Sequence, residues 1–161
     1  MYRFKKQSVL VSWVVVLLWM LLIFHMSSQV AEESDNLSKG VTKVVVETVE
    51  KVTPKSGLDV DSFNHIIRKN AHFFTYLVLG VLVLNAVIQS DIYGLKGIIL
   101  ALVICIMYAF SDEIHQLFVP GRGGQIRDVF IDSAGSIFGI GMYLIVSRIK
   151  RKVIIKFYIQ M

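Results

Sequence analysis

Four long apolar segments, separated by polar stretches, dominate the pattern along this chain of 161 residues. The segments cover approximately residues 9–26, 71–89, 95–112 and 128–147. Each has about the 20 residues that a helix needs to cross a hydrocarbon core roughly 30 Å thick. Because no water is present there to satisfy the backbone, each segment is expected to be a helix. The pattern therefore predicts an all-α, polytopic membrane protein: one membrane domain over residues 1–161 with four transmembrane helices.

Basic residues are concentrated at the two ends of the chain, beside the first and last apolar segments. They are Arg3, Lys5 and Lys6 at the start, and Arg148, Lys150, Arg151, Lys152 and Lys156 at the end. Under the positive-inside rule, this distribution places both the N- and C-termini in the cytoplasm. It also accounts for the net charge of +5 without a nucleic-acid partner. A cleaved signal peptide is the alternative interpretation of the first segment, although "HMSSQVAEE" is a poor cleavage site.

The predicted topology makes residues 27–70 an extracytoplasmic loop. Within it, "LSKGVTKVVVETVEKV" at residues 37–52 carries valines on one helical stripe, which predicts an amphipathic helix at the membrane interface. The triplet Val44–Val46 suits a strand equally well, so both structures remain open for this segment.

Polar residues gather where the spans meet the outer face. Alternation of the helices brings "NHIIRKNAHFFTY" at residues 64–76 and "SDEIHQLFVPGRGGQIRD" at residues 111–128 to that face. The end of the first span adds "HMSSQ" at residues 25–29. Three separate parts of the sequence are therefore expected to form one polar region.

Helical periodicity places these polar residues on narrow faces of their helices. The face of the second helix contains His65, Arg68, Lys69, His72 and Tyr76. The face of the third contains Ser111, Asp112, His115 and Gln116, with Glu113 at its margin. The face of the fourth contains Asp128, Asp132, Gly135, Ser136, Gly139 and Tyr143. Gly135 and Gly139 form a GxxxG pair that allows close helix approach, so the two carboxylates are expected to point into the bundle.

Four motifs occur in order along the chain: "SSQ", "RKNAHFFTYLVLG", "SDEIHQLFVPGR" and "RDVFIDSAGSIFG". Together they resemble the VanZ-like family of small bacterial membrane proteins, which is named for a teicoplanin-resistance accessory protein. The resemblance covers nearly the whole chain. It implies a four-helix integral membrane protein of the cell envelope, whereas tolerance of glycopeptide antibiotics belongs to a few members only.

The first functional hypothesis is a protein that binds or modulates an amphiphile at the outer leaflet of the bacterial cytoplasmic membrane. Its expected partners are membrane lipids, including a lipid-linked cell-wall precursor, or an amphiphilic glycopeptide antibiotic. Arginine and lysine side chains would contact phosphate, and "PGRGGQIRD" would bring backbone amides to an anion at the fourth helix. The predicted binding residues are Arg68, Lys69, His72, Tyr76, Glu113, His115, Gln116, Arg122, Asp128 and Asp132.

The second hypothesis is an enzyme, a hydrolase or transferase acting on a lipid phosphate. The candidate catalytic residues, as general acids or bases, are His72, Asp112, Glu113 and His115. Ser111 is a candidate nucleophile, although a serine there more often hydrogen-bonds within its own helix. The spacing of Glu113 and His115, and that of the Asp128–Asp132 pair, matches no metal motif, so neither a metal nor another cofactor is expected.

Two further interpretations need no ligand. The chain can be an interaction protein that supports a larger envelope complex. Alternatively, the polar residues are purely structural, and arginines pair with aspartates to hold the helices in register. The residues in these pairs would be Arg68, Arg122 or Arg127 with Asp112, Asp128 or Asp132.

Overall fold

The computed structural model describes residues 2–29, 40 and 60–160, and the side chains of residues 5–29, 40 and 69–150. In these residues the protein is entirely helical, which confirms the predicted fold class. The helices are α1 (Tyr2–Ser27), α2 (Val60–Gln89), α3 (Gly94–Gln116) and α4 (Ile126–Gln160). Apart from residue 40, the segment 37–52 lies outside this description, as do the side chains of His65 and Arg68.

Each helix contains a stretch that is long and apolar enough to cross a membrane. These stretches are Lys5–Ser27, Lys69–Gln89, Gly94–Gln116 and Ile126–Lys150, with mean hydropathy between 1.8 and 2.5. The helices α2 and α4 also continue beyond the apolar stretches, because intrahelical hydrogen bonds do not stop where the hydropathy falls. The four predicted spans are therefore present, within longer helices.

Helices α2 and α4 form the most extensive helix pair. Gly135 and Gly139 of α4 lie against the backbone of α2, where a Cβ would overlap the carbonyl oxygens of Phe73 and Leu77. Gly80 of α2 faces the backbone of α4 in the same way. The GxxxG pair thus brings the two backbones into direct contact, as its spacing predicts.

Helix α1 packs at the edge of the bundle, with most of its leucines and valines exposed. Its contacts include two indole hydrogen bonds, both 3.0 Å long: Trp13 Nε1 donates to Ser90 Oγ in the turn after α2, and Trp19 Nε1 donates to the Thr75 carbonyl of α2. The Tyr108 hydroxyl of α3 donates to the Met20 carbonyl at 2.5 Å. Polar contacts therefore help to fix the register of a helix that buries little apolar surface.

The turn between α2 and α3 meets the N-terminal end of α1. Asp91 adopts a φ of 65° in this turn, and its Oδ1 lies 2.7 Å from Lys5 Nζ. The Tyr93 hydroxyl donates to the same oxygen at 2.9 Å. The Lys5 hydrogen bond and that of Tyr93 lower the pKa of the Asp91 carboxyl. This end of the bundle holds the start of α1, as alternating helices require, while the polar stretches lie at the other end.

Candidate functional site

A group of polar side chains, all buried except the half-buried His72, lies at the end of the bundle opposite the α2–α3 turn. We call it the polar cluster, and its members are Ser27, His72, Tyr76, Asp112, Glu113, Gln116 and Asp132. Asp132 is fully buried, and Asp112 and Glu113 are 2% and 5% exposed. All four helices contribute, because each of the three polar stretches predicted to meet at this end supplies residues to the inside of the bundle, and α4 supplies Asp132.

The centre of the cluster is formed by His72 of α2, Asp112 of α3 and Asp132 of α4. His72 Nδ1 lies 3.5 Å from Asp132 Oδ1, within ion-pair distance. One ligand atom from each of the three residues lies within 4.8 Å of the other two. Residues far apart in the sequence, on three helices, therefore form a compact nitrogen–oxygen site that could hold a metal ion.

Glu113 connects the cluster to the loop before α4. Its Oε2 accepts a hydrogen bond of 2.7 Å from the backbone amide of Gln125. The loop passes so close that a Cβ at Gly124 would lie 2.6 Å from the Glu113 carbonyl oxygen. An internal carboxylate thus occupies the amide of Gln125, so an external anion near α4 would need other groups of the loop.

The C-terminal end of α1 closes another side of the site. Arg122 Nη1 donates to the Ser27 carbonyl at 3.2 Å, which ties the loop before α4 to α1. His115 stacks on Phe24 with ring centroids 4.3 Å apart, and its Nε2 lies 3.1 Å from Ser28 Oγ. His115 therefore faces α1, on the same end of the bundle but outside the His72–Asp112–Asp132 group.

Two hydroxyl groups of the cluster have no hydrogen-bond partner among the described residues. Tyr76, which is 1% exposed, lies within electrostatic range of Asp112 and Asp132. The Ser27 hydroxyl lies beside Asp112. Tyr76 is among the binding residues predicted from the sequence and Ser27 is not, although the "SSQ" motif is a signal for Ser27.

The remaining candidates occupy more peripheral positions. Ser111 is exposed and donates to the Tyr108 carbonyl at 2.8 Å, which favours its intrahelical role over that of a nucleophile. Gln116 Nε2 lies 3.5 Å from Asp112 Oδ2 and extends the cluster along α3. Asp128 and Lys69 are both half-buried, and one oxygen of Asp128 is buried without a hydrogen bond. The backbone of Arg68 places it one helical turn before His72.

An open apolar groove between α3 and α4 borders the cluster. It has a volume of about 130 Å³ and is lined by Phe110, Glu113, Ile114, Leu117, Gly124, Ile126 and Val129. Glu113 belongs both to the polar cluster and to the lining of this groove. An apolar chain in the groove would therefore lie next to a buried carboxylate.

Comparison with protein families gives a match that includes the whole polar cluster. The family model described as VanZ/LLP1 matches residues 12–147. No curated protein and no solved structure gives a match. The matched range covers most of the chain and contains the four motifs on which the resemblance rests. The protein therefore belongs to the VanZ/LLP1 family and is a multi-pass membrane protein.

Proposed function

We propose that this protein binds the headgroup of an anionic amphiphile of the cell envelope at the polar cluster. The observation that carries the proposal is the convergence of buried polar side chains from all four helices at one end of an apolar bundle. Lipids, lipid-linked cell-wall precursors and amphiphilic glycopeptide antibiotics are the candidate ligands. They share an apolar part and a polar or charged headgroup.

The free-energy cost of burying ionisable side chains in the polar cluster supports a role in binding. An ionisable side chain at the membrane centre costs on the order of 3 kcal/mol on insertion scales, and such residues are usually functional. The cluster lies near the span ends, which lowers this cost, but Asp112 and Asp132 are nevertheless buried in protein. A bundle needing only mechanical stability could fill these positions with apolar residues at no such cost.

The charges around the cluster suit a headgroup that carries both an anion and neutral polar groups. Lys69, Arg122 and Arg127 lie in the segments that close this end of the bundle, and Arg127 is exposed. Arginine binds phosphate through paired hydrogen bonds, so these residues would meet the anionic part. The buried carboxylates would accept hydrogen bonds from hydroxyl or amine groups deeper in the site, and the groove beside Glu113 would take apolar chain.

The proposal is tested by lipid binding to the purified protein in nanodiscs, with phosphatidic acid and a polyprenyl phosphate as probes. Replacing Arg122→Ala should weaken binding by about tenfold or more, equivalent to about 1.4 kcal/mol, and reduce its salt dependence. Arg148→Ala is the matched control, because it removes an exposed arginine from the opposite end of α4. Equal affinity of the two variants for both lipids contradicts the proposed site.

We propose further that the polar cluster faces the outside of the cell. This orientation follows from the basic residues at both chain ends and the positive-inside rule. A Cys105→Ala background permits single cysteines at Gly123 and Tyr93, which are both exposed and lie at opposite ends of the bundle. Gly123→Cys should react with a membrane-impermeant maleimide in intact cells, and Tyr93→Cys only after lysis. The reverse pattern overturns this orientation.

A second candidate function is hydrolysis or group transfer at a lipid phosphate. The observation that favours it is the 3.5 Å approach of His72 Nδ1 to Asp132 Oδ1, because a carboxylate that orients a histidine is a frequent part of acid–base catalysis. The measurement is phosphate release from a panel of lipid phosphates by purified protein. Turnover that is lost in His72→Ala and kept in Ser111→Ala supports the enzyme. Absence of turnover leaves the binding protein.

A further inference from the structure

We infer that His72, Asp112 and Asp132 bind a divalent cation that accepts mixed nitrogen and oxygen ligands, such as Zn²⁺ or Mn²⁺. The sequence predicts no metal site, because the spacings of residues close to one another along the chain match no metal motif. The three ligands instead come from α2, α3 and α4, so no motif of closely spaced residues predicts them. This inference stands independently of the proposed lipid binding.

The distances between the three residues fit a metal ion. In a tetrahedral site with bonds of about 2.1 Å, neighbouring ligand atoms are about 3.4 Å apart. His72 Nδ1 and Asp132 Oδ1 are already separated by 3.5 Å. All three ligand atoms lie within 4.8 Å of one another, so small side-chain rotations bring Asp112 into the first coordination sphere.

The charge at the centre of the cluster requires compensation. Two carboxylates lie within 4.8 Å of each other and are almost completely buried, where their repulsion is poorly screened. Among the residues whose side chains the structure describes, the ion-pair partner of these carboxylates is His72. Its imidazole supplies at most one positive charge. A divalent cation would balance both carboxylates and allow His72 to stay neutral, as a metal ligand must be.

The oxygens that face this centre are also unsatisfied. Asp132 is fully buried, and neither of its carboxylate oxygens accepts a hydrogen bond from a described residue. Asp112 Oδ1 and the Tyr76 hydroxyl are buried in the same condition. Buried polar groups in native proteins are almost always hydrogen-bonded, so several that lack a hydrogen bond within one cluster indicate a missing ligand. Coordination satisfies the carboxylates, and the hydroxyl can bond to a water on the metal.

The ligand types select among cations. Imidazole nitrogen suits Zn²⁺ and other transition metals, whereas Mg²⁺ and Ca²⁺ prefer sites made wholly of oxygen. Three protein ligands leave at least one coordination position open, as in zinc sites that also hold a water or a substrate. The site can therefore take an exogenous oxygen ligand, and the Tyr76 hydroxyl lies within electrostatic range of both carboxylates.

The test is direct metal binding by the full-length protein, purified in nanodiscs without a histidine tag and stripped with a chelator. Zn²⁺ and Mn²⁺ are titrated separately, bound metal is counted by mass spectrometry, and nitrogen coupling to bound Mn²⁺ is measured by pulsed electron paramagnetic resonance. We expect about one metal per chain and imidazole coupling. Asp132→Asn and His72→Ala should weaken binding by about 100-fold or more, since even second-shell changes cost 10–100-fold.

Matched controls separate loss of a ligand from general disturbance of this end of the bundle. His115→Ala removes a histidine that contacts Phe24, and Glu113→Gln alters a carboxyl that contacts the Gln125 amide. Both controls should bind metal like the unaltered protein, and all variants must keep their helical circular dichroism and monodispersity. If His72→Ala fails to fold, Asp132→Asn still tests the site, because asparagine keeps the shape of the aspartate side chain.

The outcomes are distinct. Stoichiometric binding that is lost in Asp132→Asn and kept in both controls supports the site. If the stripped protein binds neither cation, the carboxylates are neutralised by protons and the inference is overturned. Equal binding by all variants, or equal loss in His115→Ala, places the metal elsewhere and also overturns it. Because no lipid is titrated, failure of the proposed lipid binding does not affect the result.

Discussion

The contact between α2 and α4 gives the sharpest prediction for stability, because it depends on a single hydrogen atom in place of a side chain. In Gly139→Ala the new Cβ would overlap the carbonyl oxygen of Leu77 on α2. An ordinary C···O contact is about 3.3–3.6 Å long, so the two backbones would have to separate by more than an ångström. The neighbouring contact at Gly135 would be loosened by the same movement.

The size of the effect follows from close packing. Overpacking of an interior usually costs about 1–3 kcal/mol, and alanine recovers up to about 1 kcal/mol of helix propensity over glycine. We therefore expect Gly139→Ala to have a free energy of unfolding about 1–3 kcal/mol below that of an alanine placed at an open position of the same helix, which is about 5- to 150-fold in the folded-to-unfolded ratio. Relative to the unaltered protein, the gain in helix propensity reduces this loss by up to about 1 kcal/mol. Helix association in lipid relies on such packing, since apolar burial between helices contributes little there.

Gly141→Ala is the control for this experiment. It lies on the same helix, and nothing is within 4 Å of the position that its Cβ would take. This variant should be as stable as the unaltered protein or up to about 1 kcal/mol more stable. The assay is reversible unfolding in mixed micelles with increasing denaturing detergent, followed by far-ultraviolet circular dichroism. Equal unfolding midpoints for the two variants would refute the inferred backbone contact.

Three further predictions concern the ends of the bundle and the edge helix. Because the pKa of Asp91 is lowered in the folded protein, its pairing with Lys5 stabilises the fold at pH values above the ordinary aspartate pKa, and this contribution is lost as the pH falls through the lowered pKa. Titration of the Asp91 carboxyl by NMR should show a higher midpoint in Lys5→Met. An unchanged midpoint contradicts the pairing. Gly124→Ala should disturb the loop before α4 and weaken lipid binding at the polar cluster, whereas Gly123→Ala, whose Cβ would meet nothing within 4 Å, should not. The measurement is the lipid-binding assay in nanodiscs. Equal lipid affinity of the two variants contradicts the close approach of Gly124 to the Glu113 carbonyl oxygen. Trp19→Phe removes an indole hydrogen bond to α2 and should lower the free energy of unfolding by about 0.6 kcal/mol, a typical value for hydrogen bonds between membrane helices. The same detergent titration measures this change. An unchanged unfolding midpoint would mean that the hydrogen bond does not help to hold α1 against α2.

Much of the fold follows from local patterns in the sequence. The apolar lengths give the four spans, and the period of the helix gives the buried faces that contain His72, Asp132 and Ser136. The spacing of Gly135 and Gly139 gives the close contact with another helix. These features could be predicted because each depends on a few neighbouring residues and on the fixed geometry of a helix.

The details of the site depend on relations between helices, which local patterns do not contain. His115 shares a helical face with Asp112 in the sequence, yet the packing of α1 draws its ring onto Phe24. Glu113 was placed at the margin of that face, yet it is buried and holds the amide of Gln125. The reason is that a rotation or a shift of one residue between neighbouring helices changes which side chains meet.

The four apolar spans and the three polar stretches at one end of the bundle could be predicted from the sequence alone. Hydrophobic length and helical period are properties of each segment, so they can be read without knowing the neighbours. The proximity of His72, Asp112 and Asp132, with one atom of each within 4.8 Å of the other two, arises only when the helices pack. That meeting depends on how the glycine faces of α2 and α4 set the helix register and how α3 packs beside them, a balance of many contacts across the whole bundle.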